Sequence, residues 1–134
     1  EPVFYVFSVP LCGACQMFER VLDEARAQGR SFAIIPVATQ GNGSAVLAAQ
    51  SLCTSPDRRP AAWSSVIRGE QVEPESSDLA YLESCAQAAL QNLEYFMVNK
   101  PGGRAATPTL MTSGGRTHVG ALTSIDELTD WLGK

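Results

Sequence analysis

Val3-Phe4-Tyr5-Val6-Phe7 is a run of five β-branched or aromatic residues with no polar alternation. Such a run suits a central strand covered on both faces. Beyond Pro10 the period changes: Met17, Phe18, Val21, Leu22 and Ala25 recur at three- and four-residue spacing, and Gly29 supplies a stop. The spacing predicts an amphipathic helix from Cys12 to Gln28 with those side chains on its inner face. Phe32 to Val37 repeats the buried-strand pattern. Strand, helix and strand in such close succession imply a parallel pair joined by a right-handed crossover.

From Ser44 to Lys100 the pattern turns helical, in Ala45-Val46-Leu47-Ala48-Ala49, in Ala61-Ala62-Trp63 with Val66-Ile67, and from Leu79 to Met97. Pro56, Pro60, Pro74 and Pro101 punctuate this segment, so three separate helices are predicted. Thr109-Leu110-Met111-Thr112 and Thr117-His118-Val119 then flank Gly114-Gly115 and read as a hairpin whose paired glycines supply positive φ angles. Ser124-Ile125-Asp126-Glu127 matches a capping box and opens a last helix, with Ile125, Leu128, Trp131 and Leu132 facing inward. No repeat, low-complexity run or linker divides the chain. The reading is one α/β domain, residues 1–134, carrying a helical insertion at 44–100.

Composition narrows the classes. At 134 residues, 45% hydrophobic and 18% charged, the chain can pack one core, which excludes wholesale disorder and removes any need for a metal to drive folding. A net charge of −4 is the wrong sign for a domain that neutralises phosphates, so nucleic acid is not expected as a partner. Two uncharged stretches, Pro2 to Phe18 and Ser31 to Pro56, invite a test as membrane spans. Pro10, Gly13 and Gln16 break the first; Pro36 and the polar run Thr39-Gln40-Gly41-Asn42-Gly43-Ser44 break the second, so no membrane insertion is expected. The chain opens Glu1-Pro2 with no initiator Met and no charged-then-apolar leader, as a processed mature form or a fragment would.

The chemistry concentrates in Cys12-Gly13-Ala14-Cys15, where the first strand hands over to the first helix. Unpaired N–H groups and the macrodipole at a helix start favour an anion, so Cys12 is expected to ionise readily and act as nucleophile. Two intervening helical residues bring Cys15 within reach to resolve a mixed disulfide. Zinc binding is the first alternative. It wants four N/S ligands, whereas Cys53 and Cys85 lie far apart and His118 is the only histidine. A purely structural pair is the second, disfavoured because the position exposes sulfur at an electropositive helix end. His118, alone in a predicted hairpin strand, is given no functional role.

A strand, a Cys-x-x-Cys at the next helix start and Thr107-Pro108 opening a late hairpin together resemble the thioredoxin fold. Within it the chain is similar to the catalytic domains of the DsbC/DsbG disulfide isomerases. The likeness rests on Phe4-Tyr5-Val6-Phe7-Ser8 running into the cysteines, on Ser51-Leu52-Cys53 and Trp63-Ser64-Ser65-Val66-Ile67-Arg68-Gly69 in the insertion, and on Ala106-Thr107-Pro108-Thr109 through Gly114-Gly115, Gly120 and Glu127-Leu128 to Trp131-Leu132. Threonine before the proline is the isomerases' typical choice. The chain departs from them in carrying Gly13-Ala14 where they place Gly-Tyr or Pro-Tyr, and it lacks their N-terminal dimerisation region. Val6 stands where thioredoxins carry a buried acid; the isomerases lack that acid too.

The resemblance implies thiol–disulfide exchange on unfolded or misoxidised proteins in the bacterial periplasm, as an isomerase or reductase, with no cofactor and a DsbD-like reductant as redox partner. A DsbA-like oxidase is the nearest alternative. A peptide-binding or chaperone module with incidental cysteines, its groove between the insertion and the Thr107-Pro108 loop, is the other. The resemblance also makes Thr107-Pro108 a cis bond against the Cys12-Cys15 pair, offering backbone to an extended substrate. The isomerases carry a second disulfide in the insertion, and Cys53 matches its first cysteine. With two cysteines claimed by the active pair, Cys85 is the remaining partner, later in the chain than in those relatives. Two separate buried thiols are the alternative there.

Overall fold

The structure, a computed structural model, describes residues 2–39 and 41–134. Gln40, in the polar run read above, and Glu1, at the chain start, lie outside the described residues. Strand β1 (Phe4–Ser8) leads through helix α1 (Gly13–Ala27) to β2 (Phe32–Pro36). Helices α2 (Gly41–Leu52), α3 (Arg59–Val66) and α4 (Leu79–Asn99) follow, then β3 (Thr109–Thr112), β4 (Thr117–Val119) and α5 (Ile125–Leu132). Short 3₁₀ turns at Pro56–Arg58 and Pro101–Gly103 introduce α3 and close α4. The three helices read from the proline punctuation are all present, α2 starting earlier than the segment bounds predicted.

The four-stranded sheet has the order β2-β1-β3-β4. β1 pairs parallel with β2, Phe4 opposite Phe32, and antiparallel with β3, Phe4 opposite Thr112. α1 supplies the crossover that a parallel pair requires. β1 is the central strand expected from its sequence, with Phe4, Val6, Phe7 and Ser8 buried. The same expectation for Phe32 to Val37 is corrected: β2 is an edge strand whose first four residues are only half-buried. An uncharged apolar run does not distinguish a centre strand from an edge whose faces are covered by helices.

Alternation along β1 divides the core. Phe4 and Val6 face α1 and α5, joining Phe18, Val21, Leu22, Leu110, Leu128 and Trp131. Phe7, with Val9 just past the strand, joins the other layer, made of Val37 just after β2, Leu47, Trp63, Val66, Ile67 and Phe96 from the insertion, and Cys12 and Cys15. Phe7 stacks on Tyr95 and tilts against Phe96, with centroids at 6.0 and 5.3 Å. Burying one such ring contributes about 2–3 kcal/mol. The cysteine pair therefore sits at the seam between the sheet and the helical insertion.

Three local expectations change. Met17 is 70% exposed, and the buried stripe of α1 runs instead through Cys15, Phe18, Glu19, Val21, Leu22 and Ala25. In the β3–β4 hairpin only Gly115 has positive φ, at 94°. Thr112 N bonds Arg116 O, so the loop is longer than the tight two-residue turn that would need both glycines. At Ser124 only half of the capping box forms: its hydroxyl accepts from Glu127 N at 3.1 Å, while the Glu127 carboxylate takes the Thr123 hydroxyl. No helix among the described residues is long and apolar enough to cross a membrane.

Candidate active site

Cys12 is the N-cap of α1, in extended backbone at φ −90° and ψ 121°. Its own N–H donates to Val9 O and its carbonyl accepts from Gln16 N at 2.9 Å, so the turn Val9-Pro10-Leu11 delivers the residue onto the helix end. Side-chain oxygens usually cap a helix there; here the sulfur does, accepting from Cys15 N–H at 3.3 Å.

Thr107 closes the other side. The peptide bond Thr107-Pro108 is cis, Pro108 O accepts from Gly120 N at 2.8 Å, and the loop lies against the cysteines. The Cys12 thiol reaches Thr107 O at 3.7 Å, and the Thr107 hydroxyl reaches the Cys12 sulfur at 3.6 Å. The sulfur is thus held between an amide at a positive helix end and a hydroxyl and carbonyl across a seam. Cys12, Cys15, Thr107 and Pro108, proposed from sequence as one site, come together.

The two thiols differ. Cys12 retains 8% exposure and Cys15 1%, so Cys12 is the more accessible of two buried sulfurs. Burial pushes the Cys15 thiol up to about 12, and the adjoining Cys12 sulfur adds to the rise. Hydrogen bonds with the Val9 backbone and the Ser8 hydroxyl oppose it only in part. Burial therefore favours the protonated thiol form of Cys15 across the physiological range.

Cys53 and Cys85 lie away from this site, bonded to each other with Cα atoms 5.4 Å apart. Their disulfide fastens the residue after α2 to the second turn of α4, the pairing expected from the resemblance at Cys53 and from Cys85 as the remaining cysteine. His118 packs its half-buried ring edge-on against Trp131 at 6.2 Å.

Two residues of the site's surroundings escaped the sequence reading. Glu19, one turn past Cys15, is 8% exposed; its carboxylate accepts from Trp63 Nε1 at 3.1 Å and pairs with Arg26 at 3.2 Å. Burial raises its pKa above the usual carboxylate range, with Arg26 and Trp63 pulling the other way. Gln16 donates its side-chain amide to Pro10 O at 3.2 Å and Ile67 O at 3.0 Å. A carboxylate inside the apolar stripe of α1 was the legible signal for Glu19; Gln16 carried none.

The class defined by this fold is thioredoxin-like, an α/β sheet carrying a helical insertion. No protein-family model and no curated sequence matches the chain. Among solved structures it is similar to Proteus mirabilis ScsC in a compact conformation, at 17% identity and TM-score 0.65, covering 97% of this chain and 80% of that one. It is also similar to the thiol-disulfide exchange protein alpha-DsbA2 from Wolbachia pipientis, at 14% identity and TM-score 0.71, over 97% and 79%. A disulfide interchange protein from Neisseria gonorrhoeae matches at 22% identity and TM-score 0.62, over 97% and 84%. A periplasmic thioredoxin-like protein from Salmonella enterica serovar Typhimurium matches at 18% identity and TM-score 0.61.

Proposed function

We propose that this chain carries out thiol–disulfide exchange on protein substrates in the bacterial periplasm, as an isomerase or reductase. The observation that carries the reading is the position of the Cys12 sulfur, capped by the Cys15 N–H on one side and met by the Thr107 hydroxyl on the other. Similarity to a periplasmic thioredoxin-like protein, a thiol-disulfide exchange protein and a disulfide interchange protein supports the chemistry and the compartment.

The Cys12 thiolate attacks one sulfur of a substrate disulfide, forming a Cys12–substrate bond and releasing the other sulfur as thiolate. In isomerisation the released thiolate attacks a different disulfide of the same substrate, and a substrate thiol finally expels Cys12; no net electrons move. In reduction Cys15 attacks the Cys12 sulfur and its proton passes to the departing thiolate. The substrate gains two electrons and the Cys12–Cys15 pair becomes a disulfide, to be reduced again by a dithiol protein of the DsbD-like class. No cofactor enters either route.

The DsbA-like oxidase reading has one observation in its favour, the DsbA2 names among the similar structures. Threonine before Pro108, the isomerases' choice, favours the first. Recovery of active enzyme from scrambled, fully oxidised ribonuclease in a glutathione buffer separates them. The wild type is expected to accelerate recovery and Cys12→Ala to abolish it. Acceleration confined to oxidation of reduced substrate would establish the oxidase. Unchanged refolding assistance by Cys12→Ala would establish a binding module instead.

A further inference from the structure

Between α1 and the insertion runs a two-rung connection. Gln16 and Glu19, three residues apart on α1, face Ile67 and Trp63, four apart at the end of α3. Those spacings put each pair on one side of its helix. The rungs differ in what they reach. Trp63 and Glu19 join helix to helix. The Gln16 amide spends one N–H on Ile67 O, a carbonyl past the end of the α3 ladder, and the other on Pro10 O, in the turn that presents Cys12.

We propose that Gln16 is a positioning residue that ties the Cys12 turn to the helical insertion and thereby favours the dithiol state of the Cys12–Cys15 pair. The inference deepens the thiol–disulfide reading and rests on it. In the dithiol arrangement Cys12 keeps its contacts with Cys15 N–H and Thr107. A disulfide would draw its sulfur off them toward the Cys15 sulfur, and the Val9–Cys12 turn, closed by Cys12 N–H on Val9 O, is the backbone that would have to follow. Gln16 opposes such a shift by holding the Pro10 carbonyl against the Ile67 carbonyl just past α3. The insertion thus enters the redox equilibrium through one amide that bonds neither sulfur.

The test measures the equilibrium constant of the pair against glutathione, with melting temperature recorded alongside. Gln16→Leu and Gln16→Met remove both donors while keeping side-chain bulk on an exposed position. Both are expected to shift the equilibrium about three- to tenfold toward the disulfide, the upper figure being about 30 mV. Trp63→Phe breaks the other rung and is expected to lower the melting temperature while leaving the equilibrium within about twofold of wild type. Unshifted equilibria in both Gln16 variants would overturn the inference, and so would an equal shift in Trp63→Phe, which would assign the effect to loosened α3 packing. A wild type that shows no reversible dithiol–disulfide equilibrium would remove the thiol–disulfide reading itself, and the inference with it.

Discussion

Removing the Cys53–Cys85 disulfide should cost stability on a scale set by the loop it closes. The bond spans 32 positions, and closing a loop of that length removes about 3.7 kcal/mol of unfolded-chain entropy. The native state gives no reason for a large discount, since Cys53 and Cys85 are both 4% exposed and lie within the contacts between α2 and α4. A chain of this length has an unfolding entropy of roughly 0.28 kcal/mol/K, which makes the loss about 13 °C in melting temperature. The comparison is Cys53→Ala/Cys85→Ala against its parent in a Cys12→Ala/Cys15→Ala background, so that no free thiol complicates the scan. Calorimetry should show two-state unfolding in both, with the midpoint lowered by about 10–15 °C. A loss below about 4 °C would refute the loop-closure reasoning, and four free thiols in protein made in an oxidising compartment would refute the bond.

Thr107→Val deletes the hydroxyl that approaches the Cys12 sulfur at 3.6 Å; a bond worth about 1 kcal/mol in the reduced form should shift the glutathione equilibrium about fivefold toward the disulfide, and an unchanged constant would exclude any influence of that hydroxyl. Glu19 has its pKa raised by burial in the folded state, so the folded chain binds this proton more tightly than the unfolded chain does. Its contribution is then present below the unfolded value and is lost as pH rises through the folded one. Glu19→Gln keeps an acceptor for Trp63 and should lack the rise in melting temperature that the wild type shows on acidification across that window; parallel pH profiles would count against it. Lys100 ends α4 in left-handed backbone, φ 43° and ψ 66°, so Lys100→Gly should stabilise the fold by about 0.5–1 kcal/mol, or about 2–4 °C, with a lower midpoint contradicting the strain.

The parts of the fold legible in sequence were those written in local pattern. The apolar run of β1, the Cys-x-x-Cys at the next helix start and the prolines cutting the insertion into α2, α3 and α4 each act within a few residues. β2 was misjudged because strand order is a long-range property, and nothing in Phe32 to Val37 says that its outer side lacks a partner strand. The site divided the same way. Cys12 and Cys15 could be assigned from position on α1, whereas Thr107 and Pro108 needed likeness to a known family to be placed beside them across 95 residues of chain. The roles of Gln16 and Glu19 depend on the docking of α3: Gln16 has the pattern of an ordinary surface amide, and the place of Glu19 in the apolar stripe marks it as buried without naming Trp63 as its partner.

The division of labour between the two thiols is the centre of the account, and trapping tests it most directly. With a disulfide-bonded peptide substrate, Cys15→Ala should accumulate a covalent adduct that maps by mass spectrometry to Cys12, because no resolving thiol remains to displace it. The wild type should turn the peptide over with no lasting adduct, and Cys12→Ala should form none, its Cys15 being 1% exposed and held as a thiol. An adduct on Cys15 in Cys12→Ala, or none on Cys12 in Cys15→Ala, would contradict the assignment of Cys12 as the attacking sulfur.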